Sequence, residues 1–306
     1  MKITTRIENG KAYLEFDFAQ ELASVSEEKR EDLRAIFIQI QDKDGGMVLQ
    51  SLYPLKEEEP ACAILLHPHL WNGLEDPYLY QVVLHFINTE ETPYEERCTY
   101  PLAIYTFEEM EGKGWFLNGK AFEPRVLKWD ISNAEEGNIQ QILEAVKEMG
   151  INTLQLSCKE PISRELIQIC IERGFLIREE SQLYENLTES VDCNILFSHQ
   201  PLYCTDVYYH YKAKWSKVPF VYISMCSIQK NKKHNLSLTV YSNQKKVALY
   251  TNGTLFEFLA GGPEYFFEEI PIKKYPLTIT AEAGECRTAI TLYETSHNFH
   301  RTVTFS

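Results

Sequence analysis

Polar and apolar residues alternate along KAYLEFDF (11–18) and again along RAIFIQIQD (34–42), which is the period of a strand with one face buried. Asn9-Gly10 precedes the first run and Asp44-Gly45 follows the second, and both pairs favour tight hairpin turns. YLYQVVLHFIN (78–88) reads as a further strand, and the charged stretch SEEKREDL (26–33) as a connector. Residues 1–110 therefore predict an antiparallel β-sandwich.

The period then changes. VLKWD (126–130) is a short apolar run, and GNIQQILEAVKEMG (137–150) sets Ile139, Ile142, Leu143, Val146 and Met149 at helical spacing, with Gly150 placed for a left-handed cap. INTLQLS (151–157) predicts a second strand, and SRELIQICIERG (163–174) a second helix with Ser163 as N-cap and Gly174 as its stop. FLIREE (175–180) predicts a third strand. Together these are a βαβαβ unit with parallel strands and right-handed crossovers. Residues 181–204 have no clear period and read as a linker or an irregular cover. From 205 the chain returns to β, through VPFVYISMC, NLSLTVYSN, KVALYTNGTLFEF, LTITAEAG and TAITLYE, with Asn252-Gly253 as a hairpin turn. Tyr208, Tyr209, Tyr211 and Trp215 read as partly alternating along a strand edge, where they could form an aromatic platform or, as we favour, pack. The predicted class is mainly β with an α/β insert, in three segments: 1–110, 111–204 and 205–306.

Composition narrows the function. Of 306 residues, 30 Lys+Arg oppose 44 Asp+Glu for a net charge of −14, which argues against nucleic acid, since a phosphate-binding face needs Lys and Arg concentrated in space. The two basic clusters, 212–217 and 229–233, read as solvated loops. With 44% hydrophobic and 24% charged residues the chain is globular, and no apolar run approaches the ~20 residues that span a bilayer. MKITTRIENG lacks the apolar core of a signal peptide, which makes the cytoplasm the expected compartment. Eight cysteines include no C-x-x-C pair and no zinc spacing with the eight histidines, so they are expected to be reduced and structural. His67 and His69 lack a carboxylate at metal spacing, and no cofactor is expected.

Three segments, in order, resemble glycoside hydrolase family 2, the family of β-galactosidases, β-glucuronidases and β-mannosidases. They are LWNGLEDPYLYQVVLHF (70–86), GWFLNGKAFEPRVLKWD (114–130), and DVYYHYKAKWSKVPFVYI (206–223) with LTVYSNQKKVALYTNG (238–253). The resemblance implies two immunoglobulin-like β-sandwiches flanking a fragment of a (β/α)8 barrel. Family members hydrolyse with retention, using two carboxylates about 5–5.5 Å apart. The family's pair lies after the fourth and seventh barrel strands, yet here roughly 25 residues separate the third strand from the C-terminal β segment, too few for five more strand–helix units. Asn186 precedes Leu187 where the family would have an Asn-Glu pair. Met1 already lies at the first sandwich strand, so the family's N-terminal jelly roll is expected to be absent. Sugar-contact positions are altered as well: Arg125 is displaced by one, Gln155 and Cys158 replace an Arg and a His with Ser157 kept, Ile171 replaces an Asp, and Ala103 stands where an Arg is usual.

These readings predict a truncated, degenerate member that binds or assembles with carbohydrate-handling partners and does not hydrolyse by itself. Should it be active as a β-glycosidase, a relocated pair would come from Glu179, Glu180, Asp130 or Glu160. Neighbouring strand residues point to opposite faces, so Glu179 and Glu180 cannot converge without a bulge. Trp129 could stack on a sugar or plug the open sheet, and Ser157 is the retained polar contact. Three strands cannot close a barrel, so segment 181–204, the sandwiches, a second copy or a partner chain is expected to cover them. The partners expected are a carbohydrate and such a chain, as a homo-oligomer or a split glycosidase, with neither nucleic acid nor membrane.

Overall fold

The computed structural model describes residues 2–26, 30, 32–55, 61–88, 93–132, 136–159, 161–179, 190–198, 203–294 and 301–304. The chain is mainly β and divides into two compact units, Met1–Pro124 with Pro161–Ile177, and Arg125–Glu160 with Arg178–Ser306.

In the first unit the alternating runs become the strands Lys11–Asp17 and Leu33–Gln41. Among the described residues, Lys11–Asp17 lies between Lys2–Glu8 and Ala61–Leu66 in one antiparallel sheet. Leu33–Gln41 and Tyr80–Asn88 form the centre of a second sheet, flanked by Met47–Pro54 and Pro93–Leu102. The buried positions of both sheets, Leu14 and Phe16 facing Ile36, Ile38, Ile40, Val82 and Leu84, meet in one core. Asn9 and Gly10 carry φ of 51° and 73°, the left-handed pair a two-residue hairpin demands.

The same unit holds the helix Arg164–Glu172, started as predicted by Ser163, whose hydroxyl accepts from the Leu166 N–H at 3.2 Å. Trp71, 1% exposed, donates its indole N–H to the Ile171 carbonyl at 3.1 Å. Gly174 follows at φ +91°, and a Cβ there would stand 2.5 Å from the Gly73 carbonyl oxygen. Backbone meets backbone, so no other residue fits. Ile171 packs with Trp71, Leu117 and Leu176, consistent with an apolar residue serving as core.

In the second unit the helix Glu136–Met149 buries Ile142, Leu143, Val146 and Met149. Gly150 caps it at φ +97°. Strands Val126–Asp130 and Thr153–Ser157 pair in parallel, as the βαβ pattern predicts. The aperiodic segment contributes Ser190–Asp192, which pairs in parallel with Val126–Lys128 on the opposite side. The strand order in this unit is Thr153–Ser157, Val126–Asp130, Ser190–Asp192, with residues 178–179, the end of the strand Leu176–Glu179, outside Thr153–Ser157.

One expectation is overturned. Residues 206–215, read as the start of the C-terminal β segment, form the helix Asp206–Trp215. Thr205 caps it, accepting from the Tyr208 N–H. Tyr208 and Trp215, seven residues apart and hence two turns apart, are both buried. The Tyr208 hydroxyl donates to the Ala145 carbonyl at 3.0 Å, and Lys212 pairs with Glu148 at 3.0 Å, seating this helix on Glu136–Met149. The four aromatics are therefore helical packing residues and no strand-edge platform. Of VPFVYISMC, the strand proper is Val221–Ile223.

Beyond it, two antiparallel sheets enclose a second β core. Asn235–Ser242 pairs with Val221–Ile223, Gln229–Lys230 and Glu264–Pro271. The other sheet runs Thr254–Ala260, Lys246–Thr251, Leu277–Ala283, Cys286–Leu292, Arg301–Thr304. Leu236, Leu238, Val240 and Phe267 of one sheet pack against Val247, Leu249, Ile279 and Ile290 of the other.

Candidate functional site

The parallel sheet of the second unit carries two dissimilar faces, because strand neighbours alternate and the strands run in register. Leu127 lies beside Leu154 and Val191, and Trp129 beside Leu156, and all five are buried. Lys128 lies between Gln155 and Asp192, and Asp130 beside Ser157. On this second face Lys128, Asp130 and Asp192 are exposed while Gln155 and Ser157 are half-buried. Carboxylate, ammonium, amide and hydroxyl groups thus share one open surface at the strands' C-terminal ends, where α/β proteins commonly hold ligands.

The register brings two expected residues together, since Asp130 and Ser157 are direct neighbours. The Ile131 N–H donates to the Ser157 carbonyl at 2.9 Å, which ties the two strand ends. Trp129 is separated from them. At 5% exposure its indole is on the apolar face and acts as core. Glu179 ends the strand Leu176–Glu179, on the far side of Thr153–Ser157 from Asp130. Glu160 and Glu180 lie outside the described residues.

Asp192 was not anticipated, because a three-residue strand carries no readable period. It is two residues along and one strand across from Asp130, which puts the Cα atoms about 8 Å apart from strand spacing and rise. Their side chains share a face. Asp130 also accepts from Ser132: the backbone N–H lies at 2.9 Å, and the Ser132 hydroxyl with that N–H holds the carboxyl below the usual carboxylate range. Such a group is an anion near neutral pH. It can accept hydrogen bonds, take up a proton as a base or act as a nucleophile, but a glycosidase's proton donor needs a raised pKa. Among the described residues no group of three or more His, Cys, Asp or Glu side chains is arranged to hold a metal.

A second polar feature lies in the first unit, within the segment LWNGLEDPYLY. His69 stacks on Tyr78 with ring centroids 3.9 Å apart and meets the Asp76 carboxylate at 2.6 Å. Tyr78 and Asp76 line a cleft of about 460 Å³ that Gln168 and Glu172 also border. Trp71 and Tyr80 are buried, as expected of packing residues.

No known family profile matches the chain. A curated β-glucuronidase from Bacteroides fragilis is 30% identical over 121 residues, which is 38% of this chain and 16% of that protein's length. An FMN-binding β-glucuronidase from Faecalibacterium prausnitzii L2-6 superposes with a TM-score of 0.78 over 96% of this chain and 73% of its own, at 14% identity. β-Glucuronidase 2 of Bacteroides uniformis gives a TM-score of 0.66 over 99% of this chain and 60% of its own, at 13% identity. The resemblance carried by the sequence motifs is thus borne out in the fold. Among the described residues no helix is long and apolar enough to cross a membrane.

Proposed function

We propose that this chain is a glycoside hydrolase family 2-like, carbohydrate-associated protein that lacks the catalytic carboxylate pair and works by binding or assembly. In this reading residues 1–110 and 205–306, less the helix Asp206–Trp215, are immunoglobulin-like modules, and 111–204 together with that helix is a shortened (β/α)8 barrel. The observation that carries it is the strand order. In a closed eight-stranded barrel the last strand neighbours the first. Ser190–Asp192 pairs in parallel with Val126–Lys128, and the helix Asp206–Trp215 further along packs on Glu136–Met149, the arrangement expected if the chain passed from a third barrel strand to the eighth. The strands that bear the family's carboxylates are then the ones left out. Asp130, whose carboxyl Ser132 holds below the usual range, is unsuited to the role of the missing acid. The exposed polar face suits a polyol or a covering chain, either a second copy or the partner of a split enzyme.

The test is turnover of aryl β-glucuronides and aryl β-galactosides by purified protein. No hydrolysis above the buffer rate is expected. The alternative reading, a β-glycosidase with a relocated pair, draws on Asp130 and Asp192 sharing a face on adjacent strands. Hydrolysis abolished by Asp130→Asn or Asp192→Asn would replace the first reading with the second.

A further inference from the structure

The five-stranded sheet of the second unit has one face in the core and one in solvent, and the solvent face is not flat. Ala248 pairs with Phe258 on one side and with Glu282 on the other, so a row across the sheet runs Phe258, Ala248, Glu282, Arg287. A methyl group between a phenyl ring and a carboxylate leaves a slot. Its walls stand on strands two spacings apart, about 9.5 Å, and its volume is about 430 Å³. That falls within the roughly 300–1,000 Å³ of small-molecule sites. Tyr250 and Lys246 line the slot along the central strand, one on each side of Ala248.

The two walls differ in chemistry. Phe258 is 64% exposed and Leu255 beside it 52%, a solvated apolar surface on an otherwise polar face. Opposite, Glu282 has two neighbours: the Arg287 Nε lies 3.5 Å from its Oε1, and the carboxylate pushes the Tyr250 pKa up by hydrogen bonding and charge. A carboxylate has about four acceptor sites, so two such partners leave capacity for more donors. A ligand that fits needs an apolar flank for the ring and vicinal donors for the carboxylate. It must also carry no negative charge where it faces Glu282.

We infer that this slot binds a neutral pyranose of a glycan, with the sugar's C–H face on Phe258, adjacent hydroxyls donating to Glu282, and Lys246 donating to a further oxygen. Aromatic rings offer such a C–H surface a broad apolar contact at low entropy cost. The inference deepens the carbohydrate-associated reading and rests on it. It assigns the contact to the C-terminal module, away from the Asp130 face.

The experiment titrates the full chain with β-1,4-glucan and β-1,4-galactan hexaoses, and with a hexa-uronate as charged counterpart, by calorimetry and NMR. A neutral hexaose is expected to bind with millimolar or tighter Kd, and Phe258→Ala and Glu282→Gln each to weaken it at least tenfold. Both side chains are surface groups, and unchanged thermal unfolding of the variants shows that the fold is kept. Binding of the hexa-uronate alone, or neutral binding that neither variant weakens, overturns the slot while leaving the carbohydrate reading in place. Absence of all binding at 10 mM overturns the slot and the binding form of the carbohydrate reading, leaving assembly.

Discussion

Gly150 is where local and long-range demands meet in one backbone position, and replacing it with alanine measures both. Its φ of +97° closes the helix Glu136–Met149, and a Cβ there would stand 2.6 Å from the Trp215 carbonyl oxygen and 2.8 Å from its carbon. That same oxygen accepts from Arg125 Nη1 at 2.8 Å. The left-handed conformation costs an L-residue about 1–2 kcal/mol. Displacing the Trp215 carbonyl forfeits a hydrogen bond to a charged group, about 1.5–3 kcal/mol. Gly150→Ala is therefore expected to destabilise by roughly 2.5–5 kcal/mol, a large part of the 5–15 kcal/mol of a typical domain. Gly137, in the same helix, has nothing within 4 Å of its would-be Cβ and no positive φ. Gly137→Ala should be neutral or stabilising by up to about 1 kcal/mol. Urea unfolding followed by tryptophan fluorescence and by far-UV circular dichroism compares the two. A Gly150→Ala protein within 1 kcal/mol of the parent, or equal losses in both variants, would refute the packing argument.

Two further outcomes follow from titratable groups. Asp130 has its pKa lowered by Ser132, so its contribution to stability is present above the ordinary carboxylate pKa of about 3.9 and is lost as pH falls through the folded value. Carbon-13 NMR should find Asp130 titrating below that range and moving up in Ser132→Ala; an ordinary value unaffected by the substitution contradicts the assignment. Burial pushes the Cys170 and Cys193 thiols up to about 12, whereas Cys62 and Cys226 are exposed. At pH 8 a thiol reagent should label the exposed pair in the native protein and reach Cys170 and Cys193 only on unfolding, with mass spectrometry reading the sites.

Much of the fold was legible because its signals are local. Alternation at 11–18 and 34–42 marks strands with one buried face, and Ser163 with Gly174 brackets a helix whose cap bond is present. The misread helix at 206–215 has a local cause as well. Tyrosines favour strands, and four aromatics in eight residues outweighed the helical interval from Tyr208 to Trp215. The interval was readable; the composition masked it.

The chemistry of the sheet faces was a different matter. Sequence alone determined that a carboxylate and a tryptophan end one strand and a serine the next, and alternation sends Trp129 and Asp130 to opposite faces. Which face is buried depended on the partners. Leu156 and Val191 enclose the Trp129 side, leaving Asp130 with Ser157 and Lys128 with Asp192. Ser190–Asp192 is too short to have a period and is a strand only because Val126–Lys128 pairs with it. The slot at Ala248 likewise exists only through register, since Phe258 and Glu282 are apart in sequence and face each other from the two strands that flank Ala248. Periodicity is a property of a single segment and can be read along the chain. Register joins segments through backbone hydrogen bonds that carry no sequence label, so a hairpin turn can set it locally, as at Asn252-Gly253, while between distant strands the burial of one face selects it.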